Sequence, residues 1–192
     1  MELSERKMAV GLANEHLAAV LDTETTGLSN RDEVIELAII LFKFDAQSGR
    51  VIEILDQYTG LREPSCVINP FAQKVHGISM GSLKGKDFDY NRIKEIFMRA
   101  EFIVAHNAAF DRRMLGGLLP YTADQNWRCS CKDIKWKQKG FSSAKLGELL
   151  SAHGIECEHA HRALDDTESL LRLLGTRDGS EDRTYLYSLI RK

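Results

Sequence analysis

The first third of the chain holds three apolar runs, "HLAAVLD", "EVIELAIILFKF" and "RVIEILDQYTG", separated only by the turn signals "TTGLSNRD" and "DAQSG". Runs of this length, rich in Val, Ile and Leu and bounded by Gly, Asn, Asp and Ser, read as three successive strands. Beyond them the pattern changes. Helical stretches in "NPFAQKVHGIS" and "YNRIKEIFMRA" lead to a fourth strand in "EFIVAHN", a helix in "AAFDRRMLGGLL" and a short fifth strand in "NWRCSC". "SAKLGELLSAHGI" and "HRALDDTESLLRLLG" then repeat their apolar residues at helical spacing. Strands in succession, followed by strands and helices in alternation, predict an α/β fold in which helices cover a mixed sheet.

A chain of 192 residues, 43% hydrophobic and 28% charged, suits one soluble domain with a full core, taken as residues 1–192 with a core of about 17–176. The tail "EDRTYLYSLIRK" has apolar residues at helical spacing and then stops. It reads as a helical extension over 177–192, compatible with the edge of a longer protein and with a place where a protein partner docks. No run approaches the roughly 18 apolar residues of a membrane helix. The N-terminus, "MELSERKMAVGLANEH", lacks the apolar stretch of a secretory signal, so the cytoplasm is the expected location. Cys66, Cys129, Cys131 and Cys157 are too few and too unevenly spaced for a disulfide framework. A net charge of −2 excludes a protein that coats nucleic acid by bulk electrostatics, though not a locally positive site.

The first strand ends in "DTETTGL". Side chains alternate along a strand, so Asp22 and Glu24 project from one face, where two bare carboxylates repel. They need solvent or a cation. A D-x-E is common by itself; this one stands where a central strand runs out, and ligand sites in α/β sheets favour that end. In "VAHNAAFDRRML" a strand ends at His106 and Asn107, and a helix opens with Asp111 in its first turn. Dipole complementarity accounts for an acid there, but not for the small Ala108–Ala109 pair, which lets the helix pack closely on the sheet. In "HRALDDTESLLRLL", Leu164, Leu170, Leu171 and Leu174 mark a buried helix face. The dipole explains Asp165 and Glu168, whereas Asp166 sits between the apolar positions. His161 lies about 140° round an ideal helix from Asp166, so both face one site only if His161 precedes the helix.

Together "LDTETTGL", "AHNAAFDRRML" and "HRALDD" resemble, in order and in spacing, the three motifs of the DEDDh 3′–5′ exonuclease family. The resemblance runs from about Ala18 to Leu174 and includes "INPFAQKVHGIS", similar to a family segment with a substrate-side His-Gly-Ile. The motifs are nearest those of the exonuclease X and polymerase III proofreading branches. The resemblance implies a ribonuclease H-like fold: a five-stranded mixed sheet, its second strand antiparallel, flanked by helices. It implies a metal-dependent enzyme that releases nucleoside 5′-monophosphates from the 3′ end of DNA, single-stranded by preference. The family's four acids correspond to Asp22, Glu24, Asp111 and Asp166, ligands of two divalent cations, Mg²⁺ with Mn²⁺ as substitute. Asp22 would bridge both ions, Glu24 and Asp166 would serve the nucleophile side, and Asp111 the leaving-group side. The family's catalytic histidine corresponds to His161.

Elementary electrostatics agrees. Each carboxylate pair at 4 Å costs about 4 kcal/mol at an effective dielectric near 20, and hard cations with oxygen ligands remove that cost. Two such ions roughly 4 Å apart clamp the attacking and leaving oxygens of an in-line phosphoryl displacement. A histidine, titrating as a rule at about pH 6.5, suits the general base.

The resemblance also places the backbone of Thr25 and Thr26 against the terminal sugar and Leu28 against the last base. His76, His106, Asn107 and Phe110 are candidates for lining the strand, with core packing an equal alternative for Leu28 and Phe110. Arg112 and Arg113 face phosphate or solvent. Lys132, Lys135, Lys137 and Lys139, interleaved with Trp136, suit a single-strand track; a solvated helix with one buried Trp is the plainer expectation. The partner is nucleic acid with a free 3′ end, DNA favoured and RNA the alternative, since these motifs do not fix the sugar. DNA repair is the expected setting. Rival assignments are an exoribonuclease of the same mechanism and a non-catalytic binding module, although all five catalytic positions are filled. A zinc module of Cys129, Cys131, Cys157, His159 and His161 has no familiar spacing.

Overall fold

The computed structural model describes residues 14–157, 161–179 and 181–191. The N-terminal stretch through residue 13 and His159 of the zinc alternative lie outside the described residues. The three opening runs form β1 (Glu15–Thr25), β2 (Val34–Asp45) and β3 (Val51–Leu61), each antiparallel to the next. β4 (Phe102–Ala105) pairs parallel with β1, and β5 (Trp127–Cys129) parallel with β4, giving the order β3-β2-β1-β4-β5. β2 is therefore the one strand of this sheet running against the rest.

Local chemistry fixes the helix ends. Pro70 opens α1 (Pro70–His76), Asn69 caps it by accepting from Phe71 N, and Gly77 ends it at φ 71°. A single turn, α2 (Met80–Leu83), precedes α3 (Tyr90–Arg99), which Asp89 caps and which buries Ile93, Ile96 and Phe97. The remaining helices are α4 (Ala108–Leu118), α5 (Ser130–Asp133), α6 (Leu146–Ala152), α7 (Ala163–Leu174) and α8 (Tyr187–Ile190). Alternation along β1 divides the core. Ala18 and Val20 pack with Ile40, Phe42 and the leucines of α7, while Ala19 and Leu21 pack with Ile39, Leu41, α3 and α4 on the other face.

Three expectations change in detail. β1 runs on through Thr25 because Thr23, Glu24 and Thr25 keep pairing with Leu37, Glu36 and Val34. The fifth strand stops at Cys129, since Ser130 begins a helical turn. Among the described residues of the tail only Tyr187–Ile190 is α-helical. The lysine-rich stretch is no stacking platform: Trp136 is 1% exposed and its Nε1 donates to Ser130 O (2.7 Å). The four cysteines are free. Among the described residues no helix is long and apolar enough to cross a membrane.

Candidate active site

Asp22 and Glu24 continue the α7-facing side of β1 past the point where its apolar residues end. α7 begins over this end of the sheet, with Asp166 in its first turn. One carboxylate oxygen each from Asp22, Glu24 and Asp166 lie within 4.8 Å of one another, the one such group of His, Cys or acidic side chains among the described residues. Asp111 comes from the opposite side. It sits in the first turn of α4, is 2% exposed, and accepts from Thr23 Oγ1 (2.8 Å), the side chain that points away from Asp22 and Glu24. Thus three acids meet on one face and a fourth approaches round the strand end.

Burial and mutual repulsion show in the proton affinities. Burial raises Asp22 well above the ordinary carboxylate range, and the charges of Asp111, Glu24, Asp166 and Glu36 raise it further. Glu24 is pushed up to about 8 by burial and then by Asp166, Glu36 and Asp111. Burial lifts Asp111 to about 7 against the Thr23 hydrogen bond. Asp166 is raised by burial too, opposed by the His161 backbone N–H, which donates to Oδ2 (3.2 Å). Such a site holds protons or cations. An all-oxygen, hard donor set of clustered carboxylates fits a divalent ion of the Mg²⁺ or Mn²⁺ kind and not zinc's usual nitrogen and sulfur ligands.

His161 stands immediately before α7, exposed, with φ 68°. Asn107, at the start of α4, has φ 70°; these are the two non-glycine residues with positive φ among those described. His161, whose N–H donates to Asp166, adjoins the acid cluster, where backbone strain commonly collects at functional positions.

Glu24 also lines a cavity of about 630 Å³ shared by Thr25, Leu28, Phe71, His76 and Phe110. Leu28 is 79% and Phe71 82% exposed, so neither belongs to the core. His76 is buried, accepts from Ile78 N at Nδ1 (3.0 Å), and so carries its neutral-ring proton on Nε2. That nitrogen makes no hydrogen bond of good geometry; burial lowers the ring's pKa, opposed by the nearby Thr25 backbone. Thr26, His106 and Asn107 are not among the cavity's lining residues. Thr26 is spent on the scaffold: its N donates to Glu33 O, its O accepts from Asn69 N, and its Oγ1 donates to Asp32 Oδ1. His106 lies between Ser130 Oγ (2.9 Å) and Ala144 O (2.8 Å), with burial lowering its pKa.

The exonuclease family profile matches residues 19–174. The chain belongs to the DEDDh 3′–5′ exonuclease family. The chain is 31% identical over 153 residues to the DNA polymerase III PolC-type protein of Thermotoga petrophila, covering 77% of this chain and 11% of that protein. It is 28% identical over 166 residues to the 3′–5′ exonuclease DinG of Staphylococcus aureus, covering 81% of this chain and 17% of that one. The chain therefore spans less than a fifth of either relative. Its fold matches exonuclease X in complex with 5′ overhanging duplex DNA (TM-score 0.62, 23% identity, 89% of this chain and 99% of that one). It also matches the zinc-bound E. coli ExoI–ssDNA complex (TM-score 0.67, 18% identity, 90% and 42%).

The exonuclease site contains parts that its motifs do not announce. Glu36 on β2, 3% exposed and register partner of Glu24, accepts from Arg162 Nη2 (2.6 Å), Arg162 Nε (3.1 Å) and Ala163 N (3.1 Å). Its signal was legible: one acid inside the apolar run "VIELAIILF" has to be partnered. Arg113 is exposed, as the solvent-facing alternative has it, and from there donates to Leu28 O (3.1 Å) and Asn30 Oδ1 (2.5 Å) and lies over the Phe110 ring. It ties the Leu28 loop to the helix that carries Asp111.

Proposed function

We propose that this chain is a divalent-metal-dependent 3′–5′ exonuclease that removes nucleoside 5′-monophosphates from DNA, with single-stranded ends preferred. One observation supports this above all others: the Asp22–Glu24–Asp166 cluster opens, at Glu24, directly onto the apolar cavity of Leu28, Phe71 and Phe110. Chemistry and recognition therefore share a wall.

Asp22, Glu24 and Asp166 would hold the ions, two of the Mg²⁺ or Mn²⁺ kind, and Asp111 would support the leaving-group side. Bound there, the ions supply Lewis-acid stabilisation of charge developing on the phosphodiester. His161 accepts the proton of the attacking water from its exposed place at the mouth of the site, where it exchanges that proton with solvent. Leu28 and Phe110 hold the terminal base by apolar contact, and Thr25 and His76 orient the sugar. Thr26, His106 and Asn107 act behind them by fixing the loops. DNA is favoured over RNA because one matched relative is a DNA polymerase III PolC-type protein and two matched structures are complexes with DNA; DNA repair is the proposed setting.

The test is a 5′-labelled oligonucleotide of one sequence, as DNA and as RNA, with Mg²⁺, Mn²⁺ or chelator. A metal-dependent ladder shortening from the 3′ end, faster on DNA, is expected. Faster loss of RNA would reassign the substrate, and strands bound but uncut would leave a binding module.

A further inference from the structure

We infer that Glu36 and Arg162 are positioning residues for His161, an inference that rests on the general-base assignment above. Glu36 is a fifth acid beside the cluster, one strand over from Glu24, yet it does not share the ligand group. Its carboxylate is consumed by three donors, two from the Arg162 guanidinium and one from Ala163 N. Ala163 opens α7, and its N–H is one of the donors a helix start leaves without a partner. Arg162, at the cap position, makes no side-chain cap bond, so Glu36 caps α7 from a different strand. The bidentate pairing also fixes the direction of the chain at 162, because the planar guanidinium accepts a carboxylate in few orientations.

His161 is thereby held from both sides. Its own N–H is bonded to Asp166, and the next two residues are fastened to Glu36. Between these anchors the backbone keeps φ 68°, a conformation that a β-carbon disfavours and that persists only when its surroundings over-determine it. Release of the Glu36 anchor lets residue 161 relax to negative φ and carries the imidazole off its line. A displacement on the order of 1 Å costs a catalytic group about a hundredfold.

The test is a double-mutant cycle under single-turnover conditions with saturating Mn²⁺. Glu36→Gln and, as a second variant at a half-exposed side chain, Arg162→Gln are each combined with His161→Ala. In the wild-type background each is expected to lower the cleavage rate about ten- to a hundredfold, with Mn²⁺ and oligonucleotide affinity within about twofold. In the His161→Ala background neither should lower the rate by more than about twofold, because the group they act through is gone. Equal losses in both backgrounds would overturn the inference and leave a general structural role. Unchanged activity of His161→Ala itself would instead overturn the general-base assignment, and the inference with it. Arg162→Lys, which keeps charge but not the fork, should restore only part of the rate.

Discussion

At the scale of single residues, Asp22 is where the site's conflicting demands meet. It is the acid pressed by four others, so replacing it acts in opposite directions on activity and stability. Asp22→Asn is expected to lower turnover by about three orders of magnitude or more, since it removes the proposed central metal ligand. The same change should raise the melting temperature in chelator and abolish most of the rise that Mn²⁺ gives the wild type. Near-normal turnover would sink the metal assignment. Leu28 is the converse case. At 79% exposure it contributes little to folding, so Leu28→Ala should leave stability within about 0.5 kcal/mol. It should raise KM for a 3′ end several-fold, with kcat held, if apolar contact of about 1 kcal/mol is lost. The two residues differed in legibility for a physical reason. Alternation alone places Asp22 and Glu24 together, whereas Leu28 could be core or contact until its loop was seen. Asp32 and Arg113 hold that loop, with Asp32 accepting from Ser29 N (2.7 Å) and Arg113 donating to Leu28 O. Glu36 was the opposite miss: one charge in an apolar run is visible in sequence, but its partner lies 126 positions away.

At the scale of elements, β1, α4 and α7 bring four acids to one strand end, and the metal-free protein bears that cost in a pH-dependent way. All four have folded-state pKa values raised above ordinary carboxylates, with Glu24 at about 8 and Asp111 at about 7. Between the unfolded value, about 4, and the folded values, the native state holds more protons than the unfolded chain. The contribution of these four acids to stability is therefore greatest below that window and falls as pH rises through it, at about 1.4 kcal/mol per pH unit for each extra proton held. Acids held low, such as Asp32, Glu33 and Asp45, act the other way only at lower pH. Thermal melts in chelator from pH 5 to pH 8 should show this decline. Millimolar Mg²⁺ or Mn²⁺ should flatten it, because an ion that binds only the native state replaces the protons and stabilises by mass action. A chelated protein whose melting temperature rises across the window would count against an acidic metal pocket. The elements themselves were largely readable, since strand alternation and helical period are local properties. Boundaries were less so: β1 continues past Asp22 to Thr25, the first residue of the turn signal, because β2 supplies partners, a fact outside any local window.

At the scale of the molecule, the family match ends at residue 174, while the packed core does not. Tyr185, Leu186 and Leu189 are 4%, 0% and 0% exposed and join the cluster of Trp136, Leu173 and Leu174. Polar contacts tie the same segment to distant parts of the sheet: Thr184 Oγ1 donates to Gly49 O (2.7 Å), and Arg128 Nε donates to Leu189 O (3.1 Å). Gly49 sits so close that a β-carbon there would stand 2.5 Å from Tyr187 N. The sequence places the core at about 17–176, the span of the motifs, and reads 177–192 as a helical extension of it. Among its described residues only Tyr187–Ile190 is α-helix; the others are held by a local turn, as in the Asp178 N–Arg183 O bond, and by contacts to the body of the fold, as in Thr184 N–Ser48 O and Leu186 N–Leu174 O. Burying three large apolar side chains contributes about 1.5–3 kcal/mol each, against a total of about 5–15 kcal/mol for a typical domain. Removal of residues 177–192 should therefore lower the urea midpoint severely and expose Trp136 to solvent, read by its fluorescence. Asp166 lies in the first turn of α7 and the tail packs against its end at Leu173 and Leu174, so that Asp166 and Leu174 stand eight residues and roughly 12 Å apart along the helix. Under conditions where the shortened chain stays folded, its kcat should match that of the whole chain. A loss of kcat there, with native fluorescence retained, would show that the tail shapes the site as well as the core.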